Sequence, residues 1–210
     1  MRIPYVPNPP QPASADEAAI ISRIAARRAP RPLQPLDLAL LHAPPVADGW
    51  NAFLGAVRTR TTLDAAVREL AICRVAVCNQ AWYEWGHHAP LAVAAGVRES
   101  GMGVVKREKL VEEGKEEGEE GKEGGEEKAK KEALQAGLSE KEWAVLRYAD
   151  EMTRNVRVPD AVFEALRAVC DEREVVEVTA TVAAYNCVSR FLVALDVGER
   201  NGTGPDAAAH

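Results

Sequence analysis

Several devices that announce a function are missing from this 210-residue chain, and each absence excludes something. No uninterrupted apolar run approaches the roughly 18 residues that a bilayer span requires, so no membrane role is expected. The opening stretch, MRIPYVPNPPQPA, carries prolines where a secretion signal needs continuous apolar residues. A cytoplasmic, reducing setting is the expectation. Basic residues are not in excess: 26 Lys and Arg stand against 32 Asp and Glu, a net charge of −6, which argues against nucleic acid or an anionic membrane as the main partner. The four cysteines make no C-x-x-C pair and no zinc-type spacing, so neither a metal site nor a redox pair is expected. Cys73, Cys78, Cys170 and Cys187 read instead as small buried hydrophobes. No segment alternates apolar and polar residues for long, which leaves an all-α fold class.

What is present suits one compact helical domain, with an apolar fraction of 47% and a charged fraction of 28%. Residues 1–35 hold eight of the thirteen prolines and form an N-terminal arm with one short helix, Ala15–Arg28. The arm either wraps a neighbouring subunit or hangs as a tail. The main domain spans 36–197. After Pro44-Pro45, an apolar stripe of Val46, Trp50, Phe53 and Val57 predicts a helix facing the core. Thr62 is placed to cap a central helix from Leu63 to about Gln80. A further helix runs from Trp82 to Ala95, ends at Gly96, and contains Pro90, which removes one backbone donor and predicts a kink.

Residues 103–134 differ sharply. Eleven glutamates, eight basic residues and five glycines fall between Lys106 and Glu132, a composition that predicts a solvated, disordered insertion. Order resumes at Leu138, where Ser139 and Glu142 form a capping box. Helices follow to about Arg154, over Asp160–Val169, and from Glu172 to about Asp196; residues 198–210 read as a frayed tail. Arg68-Glu69-Leu70 is echoed by Arg173-Glu174-Val175, a weak internal repeat.

The chemistry concentrates in Arg68–Val97, RELAICRVAVCNQAWYEWGHHAPLAVAAGV. Glu84 and His88 are four residues apart and share a helix face, a candidate proton-transfer pair. Glu69 is a candidate for a structural ion pair with Arg68 or Arg190. Arg74 is an interior-facing base able to bind an acidic substrate, and His87 points about 100° away from His88. Tyr83 and Trp85, with Trp82, are candidates for pocket wall or subunit interface.

This stretch resembles the signature of the carboxymuconolactone decarboxylase family, which has the AhpD-like all-helical bundle fold. WAVLRYADEMTRNVRVPDAVFEAL and REVVEVTATVAAYNCVSRFLVAL, with its Tyr185-Asn186 and Arg190-Phe191, agree with it. AhpD-like peroxidases carry a C-x-x-C pair followed by a histidine, with a glutamate upstream. Here the cysteine positions fall on Ala81 and Glu84, the histidine on His88 and the upstream glutamate on Glu69. With no thiol at either position, disulfide-cycling peroxidase chemistry is disfavoured. The resemblance instead implies a decarboxylase-like enzyme without metal or organic cofactor, acting on a small carboxylated lactone or related acid. Its implied catalytic residues are Glu84, His88 and Glu69, with His87, Arg74, Tyr83 and Trp85 at the substrate. It also implies a homo-oligomer, a trimer or hexamer. A non-catalytic oligomeric binding module is the remaining alternative.

Overall fold

A computed structural model describes residues 1–112 and 119–207. Ten helices appear among these residues and no strand: α1 (Ala15–Arg28), α2 (Pro35–Leu40), α3 (Pro44–Thr59), α4 (Ala65–Cys78), α5 (Trp82–Ala94), α6 (Glu99–Val105), α7 (Glu119–Gln135), α8 (Glu140–Asn155), α9 (Asp160–Arg167) and α10 (Glu172–Leu195).

Helix α4 is the axis of the bundle. Every residue from Ala66 to Val77 except Arg68 is buried, because α5, α8 and α10 pack around it. Leu70, Ile72 and Val75 are wholly enclosed, each a contribution of about 1.5–3 kcal/mol from burial alone. Its cap is Asp64, whose carboxylate accepts from the Ala66 amide at 2.8 Å. Thr62, expected in that role, instead donates its amide and hydroxyl to Glu177 of α10. Helix α5 carries Pro90 internally, and Gly96, at φ +105°, takes the left-handed turn that ends it. Helix α10 is long and apolar enough by composition to cross a bilayer, although polar residues interrupt its apolar run. Here it is a core helix, with Val178, Val182 and Leu192 buried, packed on α3, α4, α5, α8 and α9.

Four further expectations need correction. The α3 stripe is rotated: Ala47, Leu54 and Val57 are buried, whereas Val46 and Phe53 are exposed. The charged insertion is not wholly without structure. α6 and α7 fall within or beside it, Ala129 and Ala133 are buried against the Trp143 and Leu138 cluster, and Arg147 reaches Glu126 at 2.9 Å. Two alanines at four-residue spacing sufficed to dock a helix that propensity disfavours; residues 113–118 of the insertion lie outside the described residues. The tail is also engaged, since Trp85 donates to the Pro205 carbonyl and Lys106 pairs with Asp206; residues 208–210 lie outside the described residues. The echo at Arg173-Glu174 is not one of environment. Glu174 serves a capping box at the start of α10, while Glu69 is buried inside α4.

The arm folds back on its own domain. Ile20 and Ile24 of α1 join Leu40, Leu41 and Ala47 in a small cluster. Ahead of it, the Arg2 amide bonds the Leu195 carbonyl at 2.7 Å. Ser14 caps α1, and Arg27 and Arg28 close its last turn, where cations meet the helix dipole favourably. That turn points the two arginines toward the seam between α3 and α5.

Candidate active site

A pocket with about 70 Å³ of free volume lies at this seam, room for about five waters or a small organic acid. Arg27 and Arg28 of α1, Leu36 of α2, Trp50, Leu54 and Arg58 of α3, Tyr83, Glu84, His87 and His88 of α5, and Tyr185, Val188 and Leu192 of α10 line it, with Gln34.

His88 sits on the inner face of α5, 6% exposed. Its Nδ1 lies 2.6 Å from Oε2 of Glu69 on α4, and the Tyr185 ring meets its edge at 5.0 Å. Burial depresses the His88 pKa, as do the nearby Arg58 and His87, with Glu69 opposing. The Glu69 carboxyl is held below its ordinary range: burial would raise it, but the His88 contact and the Arg58 and Arg68 charges prevail. The state we assign is therefore a neutral imidazole donating Nδ1–H to a charged Glu69. Nε2 then has its lone pair available, and it bonds no other described residue. An oriented imidazole with one nitrogen spare is the form a general base takes.

Glu84 does not partner His88, so the pairing expected from their four-residue spacing is not made. The two side chains line the same pocket but have separate supports. The Ser189 hydroxyl of α10 donates to Glu84, 3.0 and 3.1 Å from its two oxygens. Burial pushes the Glu84 carboxyl well above the usual range, the Ser189 bond opposing. No cation among the described residues pairs with it, so the protonated acid is favoured, and a neutral carboxylic acid can donate a hydrogen bond.

The remaining expected residues divide. Tyr83 and His87 reach the pocket, their rings 4.4 Å apart, with His87 Nδ1 on the Tyr83 carbonyl. Burial raises the Tyr83 pKa to about 12. Its ring is wedged from behind by Gly198, at φ +77°, where a Cβ would come within 2.1 Å. Trp85 is buried away from the pocket, its Nε1 on Pro205. Arg74 is no substrate ligand. It is fully enclosed, pairs with Asp150 at 2.6 Å, and donates to the carbonyls of Val105, Arg107 and Glu108. Sequence reasoning missed Arg58, Ser189, Tyr185 and the two arm arginines. Tyr185 stood within the resemblance without a role, and nothing local marked Arg27 or Arg28.

The thiols stand apart from the pocket lining. Cys73 is fully buried, its pKa pushed well up by burial and by Glu69 and Glu84. Cys78 is raised to about 12, burial leading, and donates to Asp150. Among the described residues no group of three His, Cys, Asp or Glu side chains is arranged to hold a metal ion.

The fold is that of the AhpD-like all-helical proteins. A Ralstonia eutropha protein, an uncharacterised peroxidase-related AhpD core, superposes with a TM-score of 0.65 at 18% identity, covering 99% of this chain and 94% of its own. A debrominase solved as a cysteine-to-alanine variant with 2,3,4-tribromopyrrole gives 0.63 at 13% identity, over 94% and 93%. An Agrobacterium tumefaciens protein of unknown function, suggested to be the antioxidant defence protein AhpD, gives 0.57 at 19%, over 75% and 92%. No curated protein matches the sequence significantly. The carboxymuconolactone decarboxylase family profile matches residues 44–103, the stretch from α3 to α6 that carries Glu69, Glu84 and His88. The chain thus carries a segment similar to the carboxymuconolactone decarboxylase family, set in a fold that it shares with the AhpD-like structures.

Proposed function

We propose that this protein is a cofactor-independent, decarboxylase-like enzyme acting on a small carboxylated lactone or related acid by acid–base chemistry. The observation that carries the reading is the 2.6 Å His88–Glu69 contact beside a pocket, with Nε2 left unengaged.

Three groups divide the work. His88 Nε2 takes up one proton, from the reacting carboxyl group or, where that group is already ionised, from solvent, and Glu69 stabilises the imidazolium that forms. The bond to the carboxyl carbon breaks, carbon dioxide leaves, and the electron pair spreads into the adjoining unsaturated carbonyl. The neutral Glu84 acid offers a hydrogen bond to the oxygen that gathers this charge. The imidazolium then returns its proton to carbon, so the enzyme ends as it began. Relative to the expectation from spacing, Glu69 replaces Glu84 as the partner of His88.

A disulfide-cycling peroxidase reading has little support, because Ala81 and Glu84 stand at the thiol positions and burial keeps Cys73 and Cys78 protonated. The test is turnover of carboxymuconolactone by wild type and His88→Ala. The variant should lose about 10²–10⁴-fold in kcat while remaining folded. Equal rates in both would remove His88 from the mechanism.

A further inference from the structure

Two arginines face the pocket with no ion pair among the described residues. Arg58 of α3 is half-buried and makes no hydrogen bond or ion pair with any described residue. Arg27 of α1 uses its Nε on Asn51, and its two terminal nitrogens have no described partner. The acids nearby are already committed. Asp37 is held by Arg28 at 2.7 Å, Glu69 by His88 and Arg68, and Glu84 favours its neutral form. Even Arg28, which has Asp37, keeps a buried Nε with no partner.

Cations crowded together and partly out of water repel one another, and an anion placed among them relieves that repulsion. The Arg27 guanidinium feels this: burial first, then the Arg28 and Arg58 charges, lower its pKa, with Asp37 opposing. Arginine's fork of donors also matches a carboxylate in two-point contact.

We propose that helix α1 is the specificity element of the site: Arg27, together with Arg58 of α3, binds a second carboxylate of a doubly charged substrate. Arg28, fixed by Asp37, is the positioning residue behind them. The arm thus admits diacids over monoacids, while the His88–Glu69 pair handles protons. This rests on the acid–base reading only for the substrate being a small acid, and it is tested by binding, without turnover.

Calorimetric titration of the full chain with maleate, crotonate and inorganic phosphate is the experiment, on wild type, Arg27→Met, Arg58→Met and Arg58→Lys. Maleate should bind wild type at least tenfold more tightly than crotonate, the equivalent of about 1.4 kcal/mol. Arg58→Met should lose about tenfold or more for maleate and little for crotonate. Arg58→Lys should regain part of that loss. Arg27→Met should weaken maleate too, yet its ligand-free melting temperature should equal or exceed that of wild type, because a repelled charge has gone. A merely structural arginine would show the opposite. Equal affinity for maleate and crotonate, or unaltered maleate binding in both methionine variants, would overturn the proposal. So would tight phosphate binding with no maleate binding.

Discussion

Helix α4 carries two buried charged residues, five positions apart, that have come to opposite uses. Arg74 is closed on all sides: Asp150 takes its charge, and three backbone carbonyls at the end of α6 and just beyond take its remaining donors. Burial alone would raise the Asp150 carboxyl, but Arg74, Cys78 and Arg154 outweigh it and hold it low. Glu69 is almost as buried, yet its partner His88 opens onto a pocket and keeps a nitrogen free. Burial of a charge is thus compatible with either arrangement; what differs is a nitrogen lone pair left free beside a cavity.

The sharpest way to break this contrast is Arg74→Met. It leaves Asp150 in the interior with only Arg147 and Arg154 and strands three carbonyls, for an expected loss of about 3–5 kcal/mol of stability. Chemical denaturation measures it. A loss below about 1 kcal/mol would show that the neighbouring arginines suffice and that Arg74 is not the anchor described.

Glu69→Gln should have the reverse signature, a kcat lowered on the order of 10²-fold with the fold intact. The Glu69 charge raises the His88 pKa against burial, Arg58 and His87. Removing it lets that pKa fall further, so the acid limb of the kcat/KM profile moves to lower pH. An acid limb that stays in place would mean that His88 does not titrate against Glu69.

Glu84→Gln probes the quietest member. A carboxyl whose folded pKa is raised makes the native state hold more protons than the unfolded chain between the two values. Stability from the neutral form is then complete below the unfolded value, near 4.5, and is lost as pH rises toward the folded one. Glutamine never ionises, so the stability of the variant relative to wild type should grow from pH 5 to pH 8, by at most about 1.4 kcal/mol per unit. A flat difference would place an ionised carboxylate at position 84.

The helical bundle was legible because periodicity and caps are local. Ala15–Arg28 and the Ser139–Glu142 box follow from neighbours within four residues. The site was legible only in part. Glu69, Glu84 and His88 do come together at the pocket, but their pairing was not foreseen, since one turn of helix puts Glu84 within reach of His88 without deciding which acid arrives. Ser189 enters from 105 residues away, and Arg27 from a segment whose prolines suggested only an arm. Arg74 misled for a similar reason: an arginine on an apolar helix looks alike whether it meets a substrate or the carbonyls at the end of another helix.

Gly198 gives the molecule an unexpected kind of leverage. It contributes no atom to the cavity, yet a single methyl there would run into the Tyr83 ring. The outline of the binding space is thus maintained from a turn beyond the last helix, and a change of one carbon in that distant turn is felt by whatever molecule the pocket receives.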